Sequence, residues 1–253
     1  MPRPLKGGAY HWHEYRIEEL LPPAESGRDV LLLGCGDGGE IPELERLGFR
    51  AVGVDIKASS GAGVVADAHA LPLRDASFDG ILSMQVLEHL HSPWIAVQEI
   101  ARVLRPRGWL VGSVAFLKPY HGSYFHMTHQ GVRQLLATAG LEVDRFEGAQ
   151  SLTYSLYGEM LPGGRRFRRA VLGALDRMIA SVRAAAWALT RREDPDRPTD
   201  RFGQGLPLSF RTLDRLRRAP AVVFRARKEE AASAVSTVTS EHAGLRAAGE
   251  RMH

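Results

Sequence analysis

The chain has 253 residues, enough for one large domain or for one domain carrying an insertion. Its 44% hydrophobic and 25% charged residues are those of an ordinary globular protein, and a formal charge of +4 is only mildly basic. A single cysteine, Cys35, excludes a disulfide framework and a cysteine-rich zinc site. No apolar run reaches the roughly 20 residues needed to span a bilayer, and the N-terminal Met1–Lys6 is not followed by the apolar stretch of a secretory signal. A cytoplasmic location is therefore expected.

The elements follow in order. Residues Tyr10 to Leu21 predict a helix, ended by Pro22-Pro23. Val30 to Leu33 is an unbroken apolar run, as expected of a parallel strand covered on both faces. A helix over Ile41 to Leu47 is closed by Gly48, and a second strand runs over Ala51 to Val54. Gly63 to Ala66 and Gly80 to Met84 read as the third and fourth strands. Trp94 to Leu104 reads as a helix stopped by Pro106 and Gly108, and Trp109 to Ala115 as the fifth strand. Gln130 to Ala139 is a helix capped by Gly140, and Leu141 to Phe146 a sixth strand. This alternation predicts an α/β fold, Rossmann-like and doubly wound, with a mostly parallel sheet. The pattern breaks between 151 and 218, where no convincing strand is found, and a strand returns at Ala221 to Ala226. The expected organisation is a core over 1–150, a helical arginine-rich insertion over 151–218, the last strand of the core within 219–228, and a flexible tail over 229–253, poor in large apolar residues.

The segment with the most chemical content is Val30-Leu31-Leu32-Leu33-Gly34-Cys35-Gly36-Asp37-Gly38-Gly39, followed by Ala51-Val52-Gly53-Val54-Asp55. A strand running into a glycine-rich turn lets backbone approach a ligand closely. A carboxylate ending the next strand can accept hydrogen bonds from ribose hydroxyls. Gly34, Gly36 and Gly39 satisfy the dinucleotide spacing, with Asp55 about twenty residues on. Gly34, Gly36 and Gly38 equally satisfy the tighter loop of S-adenosylmethionine enzymes. The loop alone leaves both open, along with a structural turn that binds nothing.

Further segments favour the second reading. Asp67-Ala68-His69-Ala70-Leu71-Pro72-Leu73 precedes Ser77-Phe78-Asp79, then comes Gln85-Val86-Leu87-Glu88-His89-Leu90, then Ala101-Arg102-Val103-Leu104-Arg105-Pro106-Arg107-Gly108-Trp109-Leu110. Taken with the loop, the chain resembles the class I S-adenosylmethionine-dependent methyltransferases, in the small-molecule group with a G-C-G-x-G loop. The resemblance covers about 10 to 146 and the strand near 221 to 226. It implies a seven-stranded sheet whose last strand is antiparallel and lies between the fifth and sixth. It implies S-adenosyl-L-methionine as cofactor, held by Gly34, Cys35, Gly36, Asp37 and Gly38, by Asp55 and Ile56, by Asp67 and Ala68, and by Gln85 and His89. His89, which follows Glu88 at a helix start, also has the simpler reading of a structural or pocket-lining residue. One departure stands out: Leu32 occupies the position, two before the first glycine, where the family usually carries an acid. Asp37 or Arg16 is the expected compensation.

Methyl transfer to a hydroxyl requires alignment of two reactants and removal of a proton, and imidazole suits that removal near neutral pH. The segment Tyr120-His121-Gly122-Ser123-Tyr124-Phe125-His126-Met127-Thr128-His129 follows the fifth strand and so emerges at the ligand-binding edge of the sheet. His126, His129 and His121 are the candidate catalytic residues, with His126 favoured. The simpler reading makes Thr128 a helix N-cap, with His129 flanking it and His121 bonded to loop backbone. No standard zinc spacing is present, so no metal is expected. Tyr10, His11 and Trp12 either close over the cofactor or cover the sheet edge.

Arg165, Arg166, Arg168, Arg169, Arg177, Arg183, Arg191 and Arg192 cluster along one predicted helix, with Phe167, Val171, Leu175, Met178, Val182 and Leu189 at helical spacing. Three readings stand: a lid helix that buries this stripe on the core, a site for an anionic substrate, or contact over 165–192 with a membrane surface or lipid-linked substrate. Nucleic acid is not expected as a partner, and the Asn/Asp-Pro-Pro-aromatic motif of base-amine methyltransferases is replaced by Ser83-Met84-Gln85-Val86. The expected function is methyl transfer to a small-molecule or glycan-like acceptor, at a hydroxyl oxygen. The alternatives are a non-catalytic cofactor-binding or interaction protein that keeps the fold, and an NAD-dependent oxidoreductase.

Overall fold

The computed structural model describes residues 12, 15–23, 27–58, 61–118, 121–149, 161–190 and 219–230, with isolated positions 153, 157, 198–199, 208–209, 212 and 215–216. Strand β1 (Asp29–Leu33) leads through helix α1 (Ile41–Arg46) to β2 (Arg50–Asp55) and the short β3 (Val64–Val65). Then come β4 (Phe78–Met84), a 3-10 turn over Leu87–His89, α2 (Pro93–Val103), β5 (Leu104–Ala115), α3 (His129–Ala137) and β6 (Leu141–Ala149). Helix α4 (Arg165–Thr190) is followed by a two-residue pairing of β7 (Pro198–Thr199) with β8 (Leu208–Ser209), and by β9 (Ala221–Lys228).

The main sheet has seven strands in the order β3-β2-β1-β4-β5-β9-β6. Strands β1 to β5 pair in parallel, whereas β9 runs antiparallel to both β5 and β6. This is the Rossmann-like sheet expected, with the returning strand at Ala221 inserted between the fifth and sixth. Because successive strand residues point to opposite faces, β1 supplies both cores. Leu31 and Leu33 pack with α2 and α3 residues such as Val97, Ile100, Val132 and Leu136. Val30 and Leu32 pack on the other face with Trp12, Tyr15, Ile17, Leu44 and Trp109. Gly80 has no room for a side chain, since a Cβ there would lie 2.1 Å from the Trp109 ring.

Three buttresses fix the strand ends away from the ligand edge and the packing behind it. Asp79 accepts from the Asp29 N–H (2.8 Å) and from Arg105, which also reaches Asp29, tying β4, β5 and β1. Arg102 on α2 binds Glu99, Asp75 and the carbonyls of Leu71 and Leu73, while Glu99 accepts the Leu71 N–H, so the stretch after Asp67 is laced to α2. Asp144 of β6 receives Arg225 and Arg227 of β9.

Two expectations are corrected. The N-terminal helix does not run on to Leu21: Arg16 adopts φ 52°, a left-handed conformation, and only a 3-10 turn over Ile17–Glu19 follows. The arginine-rich helix does not bury its stripe: Phe167, Val171, Met178 and Val182 are exposed, Leu175 is half-buried, and Leu172, off the stripe, is the buried residue. The Leu189 side chain, Tyr10, His11, Tyr120 and the tail beyond 230 lie outside the described residues.

Candidate active site

In an open parallel sheet the ligand crevice opens where successive connections leave in opposite directions. Here that point lies between β1 and β4: the chain moves from β1 outward to β2 and β3, then returns to β4 and β5 on the other side. The turns after these strands meet. A Cβ on Gly34, whose φ is +70°, would come within 2.3 Å of Val86 Cγ2, so glycine is required both by backbone conformation and by the neighbouring turn. Gly38 (φ +78°) touches backbone instead: a Cβ there would be 2.6 Å from Gly61 Cα, and one on Gly61 would be 2.2 Å from Gly38 N. Gly61 is not marked in the sequence, since nothing local points to a glycine in the segment between β2 and β3 as a packing partner of the loop.

Asp55 at the end of β2 accepts the Gly36 N–H on Oδ2 (2.8 Å) and the Lys57 N–H on Oδ1 (3.0 Å). One carboxylate thus links the glycine loop to the second strand and retains lone pairs for hydroxyl donors. A Cβ on Gly36 would meet nothing within 4 Å, so the loop borders open space on that side. Cys35 is buried and packs beneath the loop; its Sγ lies in the space a side chain on Gly53 would need. Asp37 is exposed and bonds weakly to the Gly39 N–H (3.4 Å). Ile56 presents an exposed apolar side chain just past Asp55.

Asp67 follows β3. Its carboxyl is held below the usual range by the His69 backbone N–H first, then by the His69 ring, against a small opposing effect of burial. It is therefore a firmly ionised acceptor. Ala68 beside it is buried in the core. Across the crevice, Gln85 is left-handed (φ 55°), and its side chain donates to Ser113 Oγ and accepts from Lys118 Nζ (2.9 Å), which in turn reaches Tyr15 Oη (3.4 Å). Lys118 and Tyr15 were not picked out in the sequence, because their roles depend on β4, β5 and the N-terminal segment meeting.

Leu32 is 1% exposed within the apolar cluster that includes Trp12, Tyr15 and Leu82. A carboxylate in its place would need a buried polar partner. Of the two expected compensations, the Arg16 guanidinium is engaged by Glu19, while Asp37 lies on the loop itself.

The three histidines of the 121–129 segment separate. Thr128 caps α3 by accepting the Gly131 N–H (3.1 Å), and His129 opens that helix with its ring edge-on to Phe146. His126 is exposed, its Nε2 3.5 Å from the His121 carbonyl. His121 turns inward instead. Its Nε2 lies 3.7 Å from Glu88 Oε1, and its ring packs against that of His89, which is exposed (centroids 4.7 Å). Glu88 is wholly buried: Oε1 accepts the Ala115 N–H (2.9 Å), and Oε2 has no hydrogen-bond partner among the described residues. The loop is drawn onto this group by the Phe125 N–H bond to the Glu88 carbonyl and the Met127 N–H bond to the Ala115 carbonyl.

Ligand atoms of Glu88, His89 and His121 lie within 4.8 Å of one another. Such a group could hold a metal ion, where no metal was expected from the sequence; within it the carboxylate–imidazole pair of Glu88 and His121 lies 3.7 Å apart. Glu88 is the functional candidate that sequence reading missed. Its only local sign is an acid next to His89, and its partner lies over thirty residues away.

The family model described as "Methyltransferase domain" matches residues 31–112. A probable S-adenosylmethionine-dependent methyltransferase of Mycolicibacterium smegmatis is 34% identical over 140 residues, covering 47% of this chain and 54% of that protein. A ubiquinone biosynthesis O-methyltransferase of Albidiferax ferrireducens is 31% identical over 121 residues, covering 41% and 46%. The chain thus spans about half the length of the curated relatives it matches. The crystal structure of the [4+2]-cyclase SpnF superposes with a TM-score of 0.53 at 19% identity, over 86% of this chain and 80% of that one. That likeness concerns the fold alone; the glycine loop and strands β1 to β5 fall in or beside the segment 31–112 that matches the methyltransferase domain, and there the chain is similar to S-adenosylmethionine-dependent methyltransferases.

Proposed function

We propose that this protein transfers a methyl group from S-adenosylmethionine to a hydroxyl oxygen of a small-molecule or glycan-like acceptor. Gly34, Cys35, Gly36, Asp37 and Gly38 line the donor side; Asp55 receives the ribose hydroxyls; Ile56, Asp67 and Ala68 flank the base. Gln85 and His89 border the reacting end. When bound, the cofactor supplies an electrophilic methyl on a sulfonium, which an oxygen nucleophile displaces in line. The chain's own part is to bring that oxygen into line and take its proton.

His121 takes the proton. Its Nε2 is buried, has no hydrogen-bond partner among the described residues and lies 3.7 Å from Glu88 Oε1; a proton held there, nearest the carboxylate, leaves the lone pair on Nδ1. Glu88, sealed in the core, orients the ring and stands against the positive charge that develops on it, as a carboxylate does for a catalytic histidine elsewhere. In that displacement the acceptor oxygen would be held in line with the methyl and its proton would pass to His121 Nδ1. The observation that carries this reading is the 3.7 Å approach of His121 to a wholly buried carboxylate beside the turn after β4. The O-methyltransferase name of one relative supports the choice of oxygen. His126 and His129 are assigned to the acceptor wall and to the start of α3.

Calorimetric titration with S-adenosylmethionine and with NAD, and a methyl-transfer assay on phenolic and sugar hydroxyls, test the reading. Tight binding of the first cofactor alone is expected. His121→Ala should lower kcat by about 10²- to 10³-fold with cofactor affinity unchanged. Binding of NAD but not of S-adenosylmethionine overturns the assignment of the donor. Full activity of His121→Ala overturns that of the base.

A further inference from the structure

Helix α4 presents an apolar face that no described residue covers. Phe167, Val171, Met178 and Val182 recur at spacings of four, seven and four and are 57, 41, 59 and 64% exposed, with Ile179 beside them. The helix is seated by its other side, where Leu172 is buried and Asp176 accepts a hydrogen bond from Thr153 Oγ1 (2.7 Å). Large apolar side chains aligned in this way on a protein surface mark a contact.

The charge on the same helix selects the partner. Arg165–Thr190 contains six arginines, at 165, 166, 168, 169, 177 and 183, against one acid, Asp176, which bonds Thr153; Arg191 and Arg192 follow in the sequence. Arg166, Arg177 and Arg183 are exposed. Two copies of this face pressed together would bring like-charged rims into contact, which is costly. A surface that accepts apolar side chains and carries negative charge at its edge satisfies both features. We propose that α4 lies in the interface of an anionic lipid bilayer, with Phe167, Val171, Met178 and Val182 inserted among the acyl chains and the arginines in the headgroup layer. Twenty-six residues make a rod of about 39 Å that lies along the surface, and no described helix is long and apolar enough to cross a membrane. The inference stands apart from the methyl-transfer reading, since neither the glycine loop nor Glu88 enters it.

Co-sedimentation of the full chain with vesicles of phosphatidylcholine, with and without phosphatidylglycerol, tests this. At least about tenfold more protein is expected on the anionic vesicles, weakening as salt rises. The triple variant Val171→Asp, Met178→Asp, Val182→Asp, all at exposed positions, should lose at least about tenfold of that binding while its circular dichroism and cofactor affinity stay unchanged. Failure to bind anionic vesicles overturns the proposal, as does equal binding by the triple variant. Competition by free inorganic phosphate that strips the protein from vesicles would assign the arginines to soluble anions and overturn it too. A dimer of the free chain that the triple variant splits would give the face to a second copy.

Discussion

The two sides of the crevice are built by different means. The donor side is backbone held close to backbone: Gly38 against Gly61, Gly34 against Val86, and Asp55 bound to the Gly36 amide. Its parts lie in the stretch from Gly34 to Val86. The acceptor side is made of side chains delivered from separate elements, with Glu88 from the turn after β4, His121 from the loop after β5, and Lys118 and Gln85 bridged beside them. If the proposed function holds, donor binding should tolerate little change of shape, whereas the acceptor wall would be a set of replaceable groups on a fixed frame. The general lesson is that a shared cofactor is held by geometry common to a fold, while the acceptor is chosen by side chains the fold merely positions.

The sharpest break of this contrast comes at Gly61. In Gly61→Ala the new methyl would meet Gly38 N and Cα at 2.2 and 2.3 Å, and backbone cannot yield cheaply. A loss of about 3 kcal/mol of stability and at least about a 100-fold loss of S-adenosylmethionine affinity are expected, by thermal unfolding and calorimetry. Gly122→Ala, with nothing within 4 Å of its Cβ, is the matched control on the acceptor side and should change neither. Equal behaviour of the two variants would erase the distinction.

Glu88→Gln sharpens it from the other side. The amide can still accept the Ala115 N–H, so folding should persist, while the charge facing His121 is gone. A fall in kcat of about tenfold to 100-fold, or roughly 1.4–2.8 kcal/mol, is expected with an unchanged KM for the cofactor. A change in cofactor KM with kcat intact would make Glu88 a donor-side residue.

The smallest effect concerns the frame that both sides share. Asp79, Glu99 and Asp144 are all held below the ordinary carboxylate range. For Asp79 and Asp144 burial pushes upward, but Arg105 with the Asp29 amide, and Arg225 with Arg227, outweigh it; for Glu99 the Arg102 bond leads. Groups whose folded value is depressed stabilise the protein above their unfolded value, and that contribution disappears as pH falls through the folded one. The melting temperature should therefore fall below about pH 4, and Asp79→Asn should flatten part of that fall. An unaltered acid profile in the variant would remove Asp79 from the account.

Much of this protein was legible in its sequence. The apolar run before Gly34, the acid at Asp55, the Asp67-Ala68 pair and the lone strand at Ala221 each carry local signals: strand-forming side chains, residues that permit unusual backbone, and spacing matched to a parallel sheet. Thr128 as a helix cap belongs with them. The N-terminal helix does not continue past Arg16 because that residue turns left-handed where Ile17 and Leu20 enter the core on the face of Leu32, a tertiary choice that periodicity does not record. The arginine helix forms where expected, but which of its three readings holds was not legible, for a related reason. An apolar stripe has the same pattern whether it meets a core, a partner or a lipid surface.

The sequence by itself determined the strands and the glycine loop, because these rest on local side-chain patterns and on backbone needs that particular residue types meet; the placing of β9 between β5 and β6 came only with the family resemblance. Only the tertiary structure decided that Gly61 closes the loop, that Glu88 faces His121 rather than solvent, and that the stripe of α4 stays uncovered by the described residues. Each of these depends on which distant segments pack together, and burial, unlike helical spacing, is a property of the whole fold.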